Sequence, residues 1–164
     1  MIRLRAAILT MLVILGATAL RAEETTRVAF GALKADPTLP VEITSRQLDV
    51  NQADGTAMFS GDVVVGQGEM RLSADKVLVI YAEGGNGIER LVATGDVVLV
   101  NGPDAARSDR AEYTVASGVI VMTGNVLLTQ GPNALTSDRM TVNLTDGTAN
   151  MTGGVKTIIK PEGD

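Results

Sequence analysis

The sequence contains no cysteine, no histidine and no tryptophan, and only two Phe and two Tyr residues in a chain of 164. It therefore cannot form a Ser-His-Asp or Cys-His triad, an ordinary zinc site, a disulfide or a thiol redox pair. An enzyme could still be built from carboxylates or Lys, but the usual catalytic side chains are absent. Aromatic side chains normally supply much of a core's volume, so this chain, which is 45% hydrophobic, needs an aliphatic core.

An excess of positive charge is also missing. Fourteen Lys and Arg residues are outnumbered by 19 Asp and Glu residues, which gives a net charge of −5. A nucleic-acid-binding domain usually carries a concentrated basic patch, so nucleic acid is not an expected partner. The length fits one domain that is large enough to bury its own core.

The first 22 residues have the pattern of a secretory signal peptide. Arg3 and Arg5 precede 15 uncharged residues, and this run is shorter than a membrane span, which needs roughly 18 to 20 apolar residues. Small residues favour cleavage after Ala19 or after Ala22, which releases an exported protein; an uncleaved anchor is the alternative. The predicted divisions are residues 1–22 for the signal peptide, 23–40 for an irregular lead-in, 41–160 for the folded domain and 161–164 for a tail.

A repeat of 29 residues runs through the predicted domain. Its first motif, a small residue followed by Gly, a polar residue or Gly, and Val, has its glycine at Gly61, Gly95, Gly124 and Gly153. Its second motif, a small residue followed by Asp and then Lys or Arg, has its aspartate at Asp75, Asp109 and Asp138, with a degenerate copy at Ser45-Arg46. A five-residue insertion in the Gly-rich segment 83–87 explains the one interval of 34 residues. Such fixed spacing predicts an architecture of similar stacked units.

Apolar and polar residues alternate within each repeat, which predicts β-strands. The glycine of the first motif falls midway along each strand, where a glycine usually marks a bend or a bulge. Asp54-Gly55 and Asp146-Gly147 have the composition of hairpin turns. We therefore predict an all-β fold without helices: an elongated, twisted body of about four 29-residue repeats of antiparallel bent strands, with a continuous apolar interior and an open sheet edge at each end.

Neither the repeated aspartates nor the apolar face requires a chemical role. An acid–base pair needs two carboxylates in contrasting environments, whereas the three aspartates occupy equivalent positions and each precedes Lys or Arg. We expect them to be solvated corner residues or members of charge ladders. The Gly-rich segment 83–87 is expected to be a turn and not a calcium or phosphate site. The inward apolar face can be a filled core or a trough for an apolar ligand, and the residues alone leave both open.

Residues 41–45, 59–65, 72–77 and 91–97 resemble the OstA-like domain family, through their Ser-Gly-Asp-Val, Ala-Asp-Lys-Val and Thr-Gly-Asp-Val motifs. From about Val28 to Ile159 the chain is similar to the LptA-like periplasmic lipopolysaccharide-transport proteins of that family. The resemblance implies a twisted β-jellyroll with a hydrophobic groove, a periplasmic location and no reaction of its own. We therefore expect a protein that is not an enzyme, with no catalytic residues, no metal ligands and no cofactor. The implied partners are lipopolysaccharide, held by its lipid A acyl chains, LptC-like inner-membrane and LptD-like outer-membrane proteins of the same fold, and further copies stacked head to tail.

Under this resemblance the inward face becomes the wall of the groove, where acyl chains are sheltered from water. The alternative is a structural or adhesive β-solenoid with a filled core and no lipid ligand. The expected groove-lining residues are Leu48, Val50, Phe59, Val63, Val65, Val77, Val79, Tyr81, Leu91, Val97, Leu99, Tyr113, Val115, Ile120, Met122, Val126, Leu128, Val142 and Leu144.

The two ends of the sheet are expected to dock onto neighbouring molecules. Exposed edge strands are normally protected by charge or proline, but each terminal strand here carries only one charge, and Pro40 and Pro161 flank the strands without interrupting them. Strand addition at both ends is therefore predicted. The alternative is that terminal residues fold over and cap the edges. The expected docking residues are Val41, Ile43, Val155, Thr157, Ile158 and Ile159.

Overall fold

The computed structural model describes residues 26–29, 36 and 38–159, which form eleven β-strands and no helix. In this described part of the chain, therefore, no helix is long and apolar enough to cross a membrane. The strands are β1 (Thr26–Ala29), β2 (Glu42–Thr44), β3 (Gln47–Asn51), β4 (Thr56–Gln67), β5 (Met70–Tyr81), β6 (Ile88–Asn101), β7 (Asp104–Thr114), β8 (Val119–Gln130), β9 (Asn133–Asn143), β10 (Thr148–Thr152) and β11 (Lys156–Ile158).

All eleven strands belong to one sheet with the order β1-β10-β9-β8-β7-β6-β5-β4-β2. From β4 to β10 each strand pairs antiparallel with its neighbour in sequence. At one end β2 and β3 both pair with β4, and at the other β10 and β11 both pair with β9. Among the described residues the two ends do not pair with each other, so the sheet stays open. The predicted all-β fold of antiparallel bent strands is confirmed.

Each pair of long strands has a register shift near its middle, at one of the repeated motifs. In the first motif two consecutive residues have positive φ: Gly95 and Asp96 have φ of +81° and +41°, and Gly124 and Asn125 have +81° and +49°. Glycine adopts this region freely, and Asp and Asn tolerate it better than other side chains do. This explains why the motif is Gly followed by Asp, Asn or Gly.

The second motif completes the bend on the neighbouring strand. Ser108 Oγ donates a hydrogen bond of 2.9 Å to the carbonyl oxygen of Arg110, bridging the register shift within β7. Asp109 then lies against the first-motif glycine of the next strand, where Asn125 Nδ2 donates to Asp109 Oδ2 at 2.8 Å. All three second-motif aspartates are exposed, so their prediction as solvated corner residues is confirmed.

The aligned bends divide the sheet into two half-sheets. The first half-sheet contains residues 56–60, 76–81, 88–94, 110–114, 119–123, 139–143 and 148–152, together with β3 and β1. The second half-sheet contains residues 63–67, 70–74, 97–101, 104–108, 126–130 and 133–137, together with β2 and β11.

The two half-sheets face each other across an apolar interior. A small cavity is lined by Val65, Met70 and Leu72 from the second half-sheet and by Leu91 and Tyr113, among others, from the first. The buried side chains around it are Val, Leu, Ile, Ala and Met, and Tyr113 is the one aromatic residue buried in the described core. The expectation of an aliphatic core therefore agrees with the packing.

Two expectations about irregular segments of the chain can be compared with the strands. Residues 23–40 are not irregular throughout, because Thr26–Ala29 forms β1 and pairs with β10. That part of the prediction is wrong. The Gly-rich segment 83–87 is a turn, closed by a hydrogen bond of 3.0 Å from the Ala82 amide to the Gly87 carbonyl oxygen. The predicted signal peptide (1–22) and tail (161–164) lie outside the described residues.

Candidate functional site

Most of the expected groove-lining residues lie in the interior between the half-sheets, each no more than 4% exposed. These walls are in contact, since the cavity between them is only about 10 Å³, no more than the space of one water molecule. The interior is therefore closed. The buried residues of the expected set are Val63, Val65, Val77, Val79, Leu91, Val97, Leu99, Tyr113, Ile120, Met122, Val126, Leu128, Val142 and Leu144.

The other expected lining residues lie at the margins of this interior. Phe59 and Val115 are half-buried against the core, but Leu48, Val50 and Tyr81 are 50%, 62% and 40% exposed. Leu48 and Val50 belong to β3, a terminal strand that has no strand beyond it among the residues that the structure describes. Tyr81 ends β5 at a register shift next to the inserted turn. The structure thus places these three residues outside the closed interior.

A buried hydrogen bond crosses the interior from one half-sheet to the other. Tyr113 Oη donates to Gln67 Oε1 at 2.6 Å, and Gln67 Nε2 donates to the carbonyl oxygen of Leu39 at 2.8 Å. Tyr113 lies on β7 and Gln67 on β4, which are separated by two strands in the sheet. Gln67 is the last residue of β4 and Tyr113 the last but one of β7, both on the side away from the bends, so the bond joins the free margins of the half-sheets. Burial raises the pKa of Tyr113.

Gln67 is one of three amide side chains at equivalent positions in successive repeats. Gln67 and Asn101 are buried, and Gln130 is half-buried. Gln130 Nε2 donates to Asp104 Oδ2 at 2.9 Å, so a polar row bounds the apolar interior along the margin of the second half-sheet. This row was not predicted from the sequence, although each amide follows a first-motif glycine by six residues and therefore lies on the inward-facing side of the alternation.

Part of the second half-sheet's inner face was also not predicted from the sequence. Met70, Leu72, Ala106 and Leu135 are buried there, each no more than 5% exposed. They precede the second motif, and their alternation with exposed residues such as Arg71 and Arg107 was the available signal. The apolar interior is consequently larger than the set of expected lining residues alone indicates.

Charged side chains of the described region lie outside this interior, with Asp104 as the exception. On the outer face Arg90 Nη1 contacts Glu112 Oε1 at 2.9 Å and Arg110 Nη2 contacts Glu112 Oε2 at 3.3 Å. Hydrogen bonding to Arg90 holds the pKa of Glu112 below its usual value. No three Asp or Glu side chains of the described residues come together as a set able to hold a metal ion.

The expected docking strands are found at the two ends of the sheet. Among the described strands, β2 pairs only with β4, and β11 pairs only with β9. Val41, Ile43 and Val155 are half-buried, while Thr157 is exposed and Ile158 and Ile159 are 50% and 70% exposed. Capping by terminal residues also occurs in part, because β1 covers the outer edge of β10. The β11 edge and the β2–β3 edge have no further strand beside them in the described structure.

Comparison with known proteins assigns this arrangement to a family. A profile described as "LptA/(LptD N-terminal domain) LPS transport protein" matches residues 42–148. The fold is similar to the crystal structure of LptH, described as the LptA-homologous periplasmic component of the conserved lipopolysaccharide transport device from Pseudomonas aeruginosa, with a TM-score of 0.69 and 19% identity. That similarity covers 77% of this chain and 99% of the LptH chain. No curated protein matches by sequence. This chain belongs to the LptA/LptD N-terminal domain family of lipopolysaccharide transport proteins.

Proposed function

We propose that this protein binds lipopolysaccharide by its lipid A acyl chains, between the two half-sheets, and carries it across the periplasm to the outer membrane. Membership of the family supports lipopolysaccharide as the transported lipid. The periplasmic location of the similar protein LptH supports the periplasm as the compartment. No chemical step is part of the proposal. The protein is a carrier, and its repeated aspartates are exposed corner residues.

The observation that carries the proposal is an open sheet folded onto itself around an aliphatic interior. Separating the free margins of the half-sheets keeps the backbone ladders within each half-sheet, because those ladders run along the sheet. It breaks apolar contacts and the Tyr113–Gln67 hydrogen bond. Acyl chains entering the gap replace the apolar contacts, and each buried methylene contributes about 0.8 kcal/mol.

The two ends of the sheet support the second part of the proposal, a head-to-tail bridge. The β2–β3 edge of one molecule adds to the β10–β11 edge of the next, by the strand addition that exposed edges favour. At the ends of such a bridge the same edges meet LptC-like protein in the inner membrane and LptD-like protein in the outer membrane. The exposed Ile158 and Ile159, and Leu48 and Val50 at the other end, are then buried at these junctions.

A photo-crosslinking experiment in cells tests the lipid site. Phe59 and Met58 are neighbours on β4 whose side chains point to opposite faces, and Phe59 is half-buried against the interior. A benzophenone amino acid at Phe59 should capture lipopolysaccharide, and the same group at Met58 should not. Equal capture at both positions, or capture at neither, contradicts an internal lipid site.

The packing of the interior favours a second candidate, a structural module with a filled core. Its buried side chains are almost completely shielded, and the cavity is about 10 Å³. Mass spectrometry of lipids that co-purify with the protein separates the two. The carrier should retain lipid A-containing species in roughly stoichiometric amounts, whereas the filled module should retain none.

A further inference from the structure

The four-residue strand β1 covers a sheet edge that the proposed bridge requires. It comes from the beginning of the described chain and pairs antiparallel with β10, near the other end. Val28 lies opposite Ala149, and Arg27 lies opposite Asn150. β11, which continues the same sheet end beyond the bend, has no such cover in the described structure.

The repeat defines where a strand of a second copy would lie on this edge. β10 leads into the first motif of the last repeat, as residues 56–60 of β4 lead into the first motif of the first repeat. On the other side, β3 follows the degenerate second motif, as residues 76–81 of β5 follow the second motif at Asp75. Within the chain, β4 and β5 pair with Ala57 opposite Val79. Continuing this register places β3 of a second copy antiparallel to β10, with Val50 of the second copy opposite Ala149 and Asp49 of the second copy opposite Asn150.

We propose that β1 is a self-capping strand that competes with β3 of a second copy for the outer edge of β10. Val28 and Arg27 lie opposite the same two residues, in the same strand direction, that Val50 and Asp49 of the second copy would face. Both strands cannot occupy this edge together. The inference rests on the proposed head-to-tail docking and adds that docking requires release of β1.

The lengths of the competing strands indicate the order of events. β1 offers four residues to β10, whereas a second copy offers the five residues of β3 to β10 and the three of β2 to β11. Docking begins at the open β11 edge, and β1 is then displaced from β10. Because β1 belongs to the same chain, its pairing does not depend on protein concentration, and a second copy prevails only above a threshold concentration.

Removing the cap should strengthen self-association. Consecutive residues of a strand direct their amide groups to opposite edges, so either Arg27 or Val28 donates its N–H towards β10. The double variant Arg27→Pro/Val28→Pro therefore removes that donor in either case. If β1 leaves the edge free in about a tenth of molecules, the variant should associate about tenfold more tightly. The control Arg27→Ala/Val28→Ala keeps the amide donors and should associate like the unchanged protein. Sedimentation equilibrium over a dilution series measures both, and unchanged association of the proline variant overturns the proposal.

Locking the cap should have the opposite effect and does not depend on a proline. Arg27→Cys with Asn150→Cys places two cysteines opposite each other on paired strands, at a separation that suits a disulfide. The sequence has no other cysteine. The oxidised protein should remain monomeric at concentrations at which the reduced form associates. Equal association of the two forms overturns the self-capping strand.

A third variant separates failure of this inference from failure of the docking proposal. Leu48 and Val50 are exposed on β3, so Leu48→Glu/Val50→Glu should leave the fold intact and abolish head-to-tail association. If this variant abolishes association while the disulfide has no effect, docking stands and self-capping falls. If no protein associates, including the β1 proline variant, both proposals fail.

Discussion

At three bends of the sheet, the first-motif glycine lies so close to an aspartate of the preceding strand that no side chain fits between them. A Cβ atom at Gly95 would lie 2.9 Å from the Cβ of Asp75, and one at Gly153 would lie 2.8 Å from the Cβ of Asp138. The glycines also have positive φ. Two independent requirements, backbone conformation and close approach, therefore fix the residue type of the first motif.

Gly124→Ala tests the close approach. The new Cβ would meet both Cβ and Cγ of Asp109 at 3.0 Å, and φ at this position is +81°. Left-handed backbone costs an alanine about 1–2 kcal/mol, and overpacking costs about 1–3 kcal/mol more. We expect the free energy of unfolding, measured by urea denaturation, to fall by about 2–5 kcal/mol.

Gly84→Ala is the matched control for this variant. Gly84 has a φ of +85°, but no atom lies within 4 Å of the position that its Cβ would take. Only the backbone strain should remain, about 1–2 kcal/mol. Equal losses in the two variants would show that contact with Asp109 contributes nothing.

Tyr113→Phe tests the buried polar contact between the half-sheets. Removing the hydroxyl leaves Gln67 Oε1 without this donor, which should lower the free energy of unfolding at neutral pH by about 1 kcal/mol. Stability at alkaline pH gives a second test of Tyr113, because its hydroxyl can ionise there. Burial raises the Tyr113 pKa, whereas an unfolded tyrosine has a pKa of about 10.

The sign of the pH effect follows from that difference. The neutral phenol is favoured in the folded state, so its contribution to stability is fully present below about pH 10 and is lost as the pH rises through the higher folded-state pKa. Unfolding midpoints above pH 10 should therefore fall more steeply for the unchanged protein than for Tyr113→Phe. Parallel curves for the two proteins would mean that Tyr113 ionises as readily in the fold as outside it.

Among the strands, β11 is the one at which docking can be tested most directly. It pairs with β9 through only three residues, with Ile158 opposite Ala134, and its other edge is open in the described structure. Ile158→Pro should weaken self-association several-fold, measured by light scattering against concentration, because proline blocks a strand that would be added there. The unfolding midpoint should change little, since Ile158 lies at the surface.

Ile158→Ala is the control for that variant, because it shortens the side chain and keeps the amide donor. A loss of association only in the proline variant assigns the effect to the backbone ladder. Unchanged association in both variants argues against the β11 edge as a docking surface.

Most of the long strands could be predicted from the sequence because alternation and repeat spacing act locally and reinforce each other. Strand β1 could not, since four residues carry little periodic signal and their partner β10 lies more than a hundred residues away. The exposure of Leu48 and Val50 could not be predicted either, because alternation identifies the inner face of a strand but not the end of the sheet. Gln67 was missed because buried amides depend on a partner in the facing half-sheet.

At the scale of the whole molecule, the strands are held together more strongly along the sheet than the two half-sheets are held to each other. Along the sheet, each strand from β4 to β9 is held on both sides by backbone ladders. Across the interior, the half-sheets are held by aliphatic contacts and by the Tyr113–Gln67 hydrogen bond. A ligand that supplies apolar contacts of its own can therefore separate the half-sheets while the backbone ladders stay formed. A purely structural core would not need to open in this way.

Distances between the turns at the free margins test this directly. Ser117 lies in the turn after β7, at the margin of the first half-sheet, and Pro132 lies in the turn after β8, at the margin of the second; both are exposed. Spin labels can be attached specifically at Ser117→Cys and Pro132→Cys, because the sequence has no other cysteine. Adding lipopolysaccharide should lengthen this distance by several ångströms, measured by pulsed electron paramagnetic resonance.

The control pair is Ser117→Cys with Asp146→Cys, since Asp146 lies in a turn at the margin of the same half-sheet as Ser117. Its distance should stay constant, because the ladders between β7 and β10 are retained when the half-sheets part. If both distances lengthen, the lipid disrupts the sheet instead of entering between its halves. If neither changes while lipid remains bound, the acyl chains lie on an outer surface, and the closed interior is a structural core.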